Sequence, residues 1–521
     1  MQVETVERRI SVTKFSITTL LMISAGSLAA APTGGSTCDN LSKLSLPNVT
    51  ITSAQTVSAG AFTPPASPGP GRPNMALFQA LPAFCRVMAT LIPSSDSDIK
   101  VEIWLPVSGW NNDFQAIGNG GWNGTMGYAP LAEGVKRGFA TAGTDTGHEG
   151  GSASFAMGHP EKLTDFAYRA VHEMTVTSKA IIQNFYGSAP RYSYWNGCST
   201  GGRQGLKEAQ KFPADFDGIV AGAPANYQTH LHVWSIWVAQ EMNKSPDSYL
   251  PPDKLAALHK AVIAACDAND GVKDGLLNDP TKCHFDPKTL ECKGEDLPNC
   301  LKPAQVAAVQ AIYAGPKSPS GKEIFPTFEP GSELGWNLLA GQQAASVAAD
   351  SFTYVVYKNP QWDWKTMNLD SDVAQIEKTY ASLIDATDPN MKPFFAHKGK
   401  LLMYHGWSDQ AIAPLNSVHY YESVVKNLGG EKKASADVRL FMVPGMAHCG
   451  GGEGPNDFDK MTAIQQWVEQ GKAPETMIAS HADRSGTVDR TRPLCVYPKV
   501  AKYNGSGSTD DAANFTCALP Q

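Results

Sequence analysis

Apolar and polar positions follow two rhythms along this chain. From about residue 98 to 224, short β-prone runs bounded by glycine or proline alternate with longer stretches of helical character, and the alternation resumes near residue 399. Tyr192-Ser193-Tyr194-Trp195 is an aromatic, β-prone run, and Gly201 to Ala209 behind it leads into a helix. Lys400 to Tyr404 and Val438 to Val443 are predominantly apolar runs of strand length and predict buried strands. The stretch between these two regions is rich in loops, proline and cysteine. Such alternation predicts an α/β protein, and 521 residues exceed a single typical core, so an insertion or a second domain is expected.

At the N-terminus Arg8, Arg9 and Lys14 precede an apolar stretch from Phe15 to Ala25, and Ala29-Ala30-Ala31 offers small residues for cleavage. Residues 1–30 therefore read as an export signal and are set aside from the fold, with the mature protein expected to be secreted or periplasmic. Beyond it no uninterrupted apolar run reaches the roughly 20 residues of a membrane span. A net charge of −7 provides no general basic surface for nucleic acid.

Gly197-Cys198-Ser199-Thr200-Gly201 fits the G-x-S-x-G turn that carries a nucleophilic serine between a strand and a helix, with the flanks it requires. A serine nucleophile needs a base, and the base needs an orienting carboxylate, in the chain order Ser, Asp or Glu, His for this turn. Asp409 follows the strand Lys400 to Tyr404 in the turn His405-Gly406-Trp407-Ser408-Asp409, and His448 follows the strand Val438 to Val443. His405 is the rival base, and Asp145, also just past a strand, is the rival carboxylate; chain order favours Ser199, Asp409 and His448. The amide following the nucleophile, that of Thr200, is one expected oxyanion donor, and the loop Ile117-Gly118-Asn119-Gly120-Gly121-Trp122 suits the second. A phosphate loop is the competing reading of those glycines, but no Lys-Ser or Lys-Thr follows them.

Export changes the reading of the ten cysteines, an even number that argues for five disulfides whose connectivity spacing does not fix. Cys266 and Cys283 flank one short loop, Cys292 and Cys300 another, Cys495 and Cys517 close the C-terminal tail, and Cys38 with Cys85 ties down the N-terminus. Setting these pairs aside leaves Cys198 with Cys449, a staple between the serine and histidine segments; the alternative is two buried thiols. Between Cys266 and Cys283, Asp267, Asp270 and Asp274 alternate with glycines on a loop, an arrangement that wraps oxygen ligands around Ca2+. The carbonyls of Val272 and Leu276 complete the expected set, and its distance from Ser199 in sequence makes the ion structural.

Gly197-Cys198-Ser199, Asp409 and His448-Cys449 together resemble the tannase and feruloyl esterase family, whose relatives include the mono(2-hydroxyethyl) terephthalate hydrolases. The resemblance extends over Phe114 to Gly124, Phe216 to Pro224, the acidic loop and Thr491 to Cys495. It implies an α/β-hydrolase core of residues 31–225 and 388–521, interrupted by a lid domain, 226–387, that carries the calcium and covers the site. It also implies Gly121 as the second oxyanion donor, with Gly120 the close alternative, and a small aromatic or plant cell-wall ester as substrate. Trp234, Trp237, Trp362 and Trp364 are the expected aromatic wall, and Ile412 is expected to face the acyl group.

No arginine lies between Arg203 and Arg439, so the lid has no guanidinium to grip a second carboxylate on the substrate. This disfavours a terephthalate monoester. The sequence thus points to an esterase for hydroxycinnamic, feruloyl-type acids, with a galloyl-ester tannase as the neighbouring alternative. A calcium-stabilised protein that binds phenolics or polysaccharide through an inactive hydrolase fold is the non-enzymatic one.

Overall fold

The computed structural model describes residue 1 and residues 35–65 and 74–520; the expected export signal, 1–30, lies outside the described residues apart from Met1. Nine strands form one sheet: β1 Val49–Val57, β2 Phe84–Leu91, β3 Ile99–Pro106, β4 Asp113–Ile117, β5 Ala140–Thr144, β6 Tyr192–Cys198, β7 Gly218–Gly222, β8 Lys400–Gly406 and β9 Val438–Val443. Their spatial order is β1-β2-β3-β5-β4-β6-β7-β8-β9. The first three and β5 pair antiparallel, whereas β5, β4, β6, β7, β8 and β9 run parallel. Parallel strands need crossovers, and the helices Ala170–Tyr186, Thr200–Lys211 and Leu415–Leu428 are among those that supply them. Because helices cover both faces, every residue of β4, β5, β7 and β9 is buried, which accounts for the predominantly apolar run at Val438–Val443.

Between β7 and β8, residues 223–399 add no strand to this sheet. Helices Gln228–Met242, Pro252–Cys266 and Pro303–Ala314 pack there around Trp234, Leu258, Val309, Phe328, Trp336 and Phe352. Trp122, Phe166 and Ile412 join this second core from outside the insertion, so it is seated on the loops that follow the parallel strands. Near its end Ala386, Met391 and Phe394 already belong to the core of the main sheet.

Two hairpins outside the main sheet close the chain: β10 Thr476–Ala482 with β11 Val488–Cys495, and β12 Val500–Tyr503 with β13 Phe515–Ala518. All ten cysteines are paired, as Cys38–Cys85, Cys198–Cys449, Cys266–Cys283, Cys292–Cys300 and Cys495–Cys517, the five pairs expected from the sequence.

Candidate active site

Strand β6 delivers Ser199 into a turn with φ 63° and ψ −124°, after which the helix Thr200–Lys211 begins. Glycine is required just before the turn and on the loop that faces it. A Cβ on Gly197 would lie 2.5 Å from the backbone of Gly201, and one on Gly118 would lie 2.5 Å from Gly201 Cα. The Ser199 N–H donates to the carbonyl of Gly222 at the end of β7 (3.0 Å), which fixes the turn to the neighbouring strand. The positive φ of a non-glycine residue is a strained conformation held by its surroundings, as a nucleophile turn requires.

Asp409 is fully buried just beyond β8, and its Oδ2 lies 2.7 Å from His448 Nδ1. Its Oδ1 accepts from the N–H groups of Ala411 (2.7 Å) and Ile412 (2.9 Å). Burial pushes this carboxyl up, but the charge of His448 and hydrogen bonds from His405 and His448 outweigh it and hold Asp409 well below the usual carboxylate range. On His448, burial works against the proton and the Asp409 carboxylate wins, raising the imidazole above its ordinary value.

The rival residues resolve by placement. His405 is fully buried, with Nε2 3.1 Å from Asp409 Oδ2 and Nδ1 2.7 Å from Ser417 Oγ, so it buttresses the carboxylate from behind. Asp145 Oδ1 accepts from the N–H groups of Lys100 (2.9 Å) and Gly147 (2.8 Å), a turn-forming role. The sequence reading missed Gln410, whose Oε1 accepts from the His448 N–H (3.1 Å); a glutamine beside the aspartate carried no distinguishing signal.

Ser199 and His448 line one cavity of about 220 Å³, together with Gly121, Thr200 and Ile412. Among the described residues no hydrogen bond joins Ser199 Oγ to His448; the two side chains share the cavity wall. Gly121, with φ 50°, accepts from Thr200 Oγ1 through its carbonyl (2.9 Å), tying the glycine loop to the start of the helix after Ser199. Thr200 is the first residue of that helix, where backbone N–H groups have no intrahelical acceptor. Gly120 is not among the lining residues.

The apolar part of the cavity wall is aliphatic, built by Leu231, Leu338, Leu339, Val347 and Ile412. None of the four tryptophans lines it. Trp234 is fully buried edge-on against Phe328, Trp237 is buried in the same core, and Trp362 stacks on Phe352. Trp364 packs beside that core with Nε1 3.4 Å from Gln343 Oε1. These large apolar side chains hold the insertion together, where their area is best removed from water. His232, on the wall, is driven down to about 3, by burial first and then by Arg203, and is neutral.

The acidic loop lies away from this cavity. Asp267 Oδ1 accepts from Asp274 and Gly275 N–H, Asp270 from Val272 and Asn278 N–H, and Asp274 from Leu276 N–H. Arg492 on β11 reaches Asp274 Oδ2 at 2.6 Å, a buried pair that joins the C-terminal hairpin to the loop. Burial, and then the neighbouring charges of Asp274 and Asp267, push Asp270 up to about 6 against its hydrogen bonds. Three carboxylates on a loop turned by Gly271 (φ 90°) and Gly275 (φ 81°) are a hard-cation donor set. Their oxygens are spaced widely: among the described residues only His172, Glu208 and Asp215 bring three such atoms within 4.8 Å of one another.

A parallel sheet of this order, with a serine on the strand-to-helix turn and a carboxylate-histidine pair at the ends of the next strands, defines the α/β-hydrolase class. The chain belongs to the tannase and feruloyl esterase family, whose model, described as "Tannase and feruloyl esterase", matches residues 85–518. It is 38% identical to an uncharacterised esterase of Xanthomonas campestris pv. campestris, over 94% of this chain and 93% of the relative. A probable feruloyl esterase B-2 of Neosartorya fischeri is 35% identical over 97% of this chain and 100% of its own. The crystal structure of feruloyl esterase B from Aspergillus oryzae superposes with a TM-score of 0.86 at 32% identity, covering 92% of this chain and 99% of that one. The protein is a carboxylic ester hydrolase.

Proposed function

We propose that this enzyme is an exported serine esterase that cleaves hydroxycinnamoyl, feruloyl-type esters through Ser199, His448 and Asp409. The observation that carries the reading is the 2.7 Å contact from Asp409 to His448 on the wall of the cavity that Ser199 also lines. In this mechanism His448 Nε2 takes the proton of Ser199 Oγ as the hydroxyl attacks the ester carbonyl. The N–H groups of Thr200 and Gly121 stabilise the oxyanion. His448 then returns the proton to the departing alcohol, and water attacks the acyl-enzyme by the same route in reverse. Asp409 keeps the proton on Nδ1 and stabilises the imidazolium.

The acyl group is read as neutral because no arginine or lysine is among the residues lining the cavity. That favours a hydroxycinnamoyl ester over a terephthalate monoester. Residues 226–387 act as a lid over the site, supported by their contacts with Trp122 and Ile412. Asp267, Asp270 and Asp274, with the carbonyls of Val272 and Leu276, hold a structural Ca2+, which supplies charge compensation to this loop and takes no part in the chemistry. Export is supported by the five disulfides, which persist in oxidising compartments.

The test is a panel of methyl ferulate, methyl gallate and a terephthalate monoester, with Ser199→Ala alongside. The reading expects the highest kcat/KM on ferulate and none above background for Ser199→Ala. A clear preference for gallate would make the enzyme a tannase. Full retention of aryl-ester hydrolysis in Ser199→Ala would remove the triad.

A further inference from the structure

Two residues that line the cavity beside Ser199 each carry a buried polar atom without a hydrogen-bond partner among the described residues. Both lie on the helix Gln228–Met242, which starts next to the nucleophile: Ala225 N–H donates to the Ser199 carbonyl (3.1 Å), and Gln228 opens the helix three residues later. Gln228, Leu231, His232 and Ser235 all line the cavity, the i, i+3, i+4, i+7 spacing of a single helix face. Gln228 is 3% exposed and Ser235 2%, and among the described residues neither Gln228 Oε1 nor Ser235 Oγ has a hydrogen-bond partner. Buried polar groups in folded proteins are nearly always satisfied, so an unpaired, buried hydroxyl on a residue that lines a ligand cavity is open to a partner on the ligand. On the same face His232 Nδ1 meets Ser351 Oγ, which leaves the Nε2 edge of this neutral ring as a further polar group, and Leu231 offers only apolar surface.

At 1.5 Å per residue, Ser235 lies about 10 Å farther along the helix axis than Gln228, at the end of the face remote from the start of the helix beside Ser199. An acyl group that reaches it needs a ring hydroxyl set well away from its carbonyl. A hydroxycinnamoyl group meets this requirement because a two-carbon vinylene spacer separates ring from carbonyl, and a para hydroxyl then points farthest from the ester. A galloyl group has no spacer, so its hydroxyls stop short, at the level of Leu231 and His232.

We propose that Ser235 Oγ is the hydrogen-bond partner of the para hydroxyl of a hydroxycinnamoyl ester, and that the face from Gln228 to Ser235 sets the acyl length the enzyme prefers. The inference rests on the feruloyl-esterase reading and adds to it the residue that reads the ring. Ser235 acts in specificity and stands apart from the proton-transfer groups.

Methyl p-coumarate and methyl cinnamate differ by the para hydroxyl alone, so the ratio of their kcat/KM values isolates this contact independently of how much enzyme is correctly folded. Measured on the full chain, Ser235→Ala should lower the coumarate-to-cinnamate ratio about tenfold, the scale of one hydrogen bond lost from a buried site. The inhibition constants of free p-coumaric and cinnamic acid should converge in the same variant. A wild type that prefers the coumarate, with both ratios unmoved by Ser235→Ala, overturns this inference alone. A wild type that cleaves neither ester while hydrolysing a short-chain aryl ester removes the feruloyl reading and this inference with it.

Discussion

Asp409 Oδ2 and His448 Nδ1 lie 2.7 Å apart, although the residues are 39 positions apart and follow different strands. The same carboxylate is gripped by two backbone N–H groups and by His405, so its position is set before any substrate arrives. Charge on Asp409 is thereby available at one place, on the face of the imidazole turned away from the cavity.

That contact sets a pH dependence. His448 works as a base only when neutral, and its pKa is raised because the Asp409 carboxylate outweighs the effect of burial. The acid limb of kcat/KM should therefore fall above pH 6.5, the ordinary histidine value, with activity rising as pH increases through it. Asp409→Asn should move the limb to lower pH and cut kcat on the order of 10³- to 10⁴-fold. A limb that stays in place in the variant would separate the carboxylate from the base.

The Cys198–Cys449 bridge joins the residue before Ser199 to the residue after His448 across a sequence separation of 251. Chain-entropy arguments assign such a loop roughly 5 kcal/mol, with real bridges often delivering less. Its local effect is to hold Ser199 and His448 on one cavity wall. Replacing both cysteines by alanine should lower kcat by at least about tenfold, since small misplacements are costly, with far-UV circular dichroism retained at 25 °C. Unchanged turnover would leave the bridge with a purely structural role.

Calcium should stabilise the acidic loop measurably. At free Ca2+ a hundredfold above its Kd, binding contributes about 2.7 kcal/mol, visible as a higher Tm that chelation reverses. Asp270→Ala should lower the Tm and abolish the response to Ca2+. A melting curve indifferent to both chelation and added Ca2+ would count against the ion.

His259 ties the insertion to the loop after His448, with Nδ1 2.8 Å from Glu333 and Nε2 2.9 Å from Glu453. Burial opposes its proton, but the two carboxylates prevail and raise it to about 9. A folded pKa above the unfolded value of about 6.5 means the contribution is full below pH 6.5 and disappears as pH rises towards 9. The unfolding free-energy advantage of the wild type over His259→Gln, read from denaturant curves, should shrink across that window by on the order of 2 kcal/mol. A difference constant from pH 6 to 9.5 would show that His259 is not charged in the folded state.

Much of the core was legible because it is encoded locally. Val438–Val443 is a strand over the span its apolar run predicts, and Lys400 opens a strand that continues two residues past the expected Tyr404, to Gly406. The turn at Ser199 was legible for the same reason, since its glycines answer clashes within a few residues or with one adjacent loop. The cysteine pairs followed largely from proximity in sequence. The placement of the tryptophans was not legible, because sequence reports their size and apolarity alone. Whether Trp234 faces a cavity or Phe328 depends on how helices of the insertion pack, which no local pattern carries.

By itself the sequence determined the chemistry available and its chain order: a serine on a glycine turn, then an aspartate and a histidine after successive strands. Chain order already favoured His448 over His405, and only the tertiary structure shows what surrounds each. One is sealed behind Asp409 and the other opens on the cavity. The cavity itself is a property of packing: Gly121, Ser199, Leu231, Leu338 and His448 meet there from five distant segments. Backbone preference acts over a few residues and was readable along the chain, whereas the shape of an apolar wall is fixed by contacts between segments hundreds of residues apart.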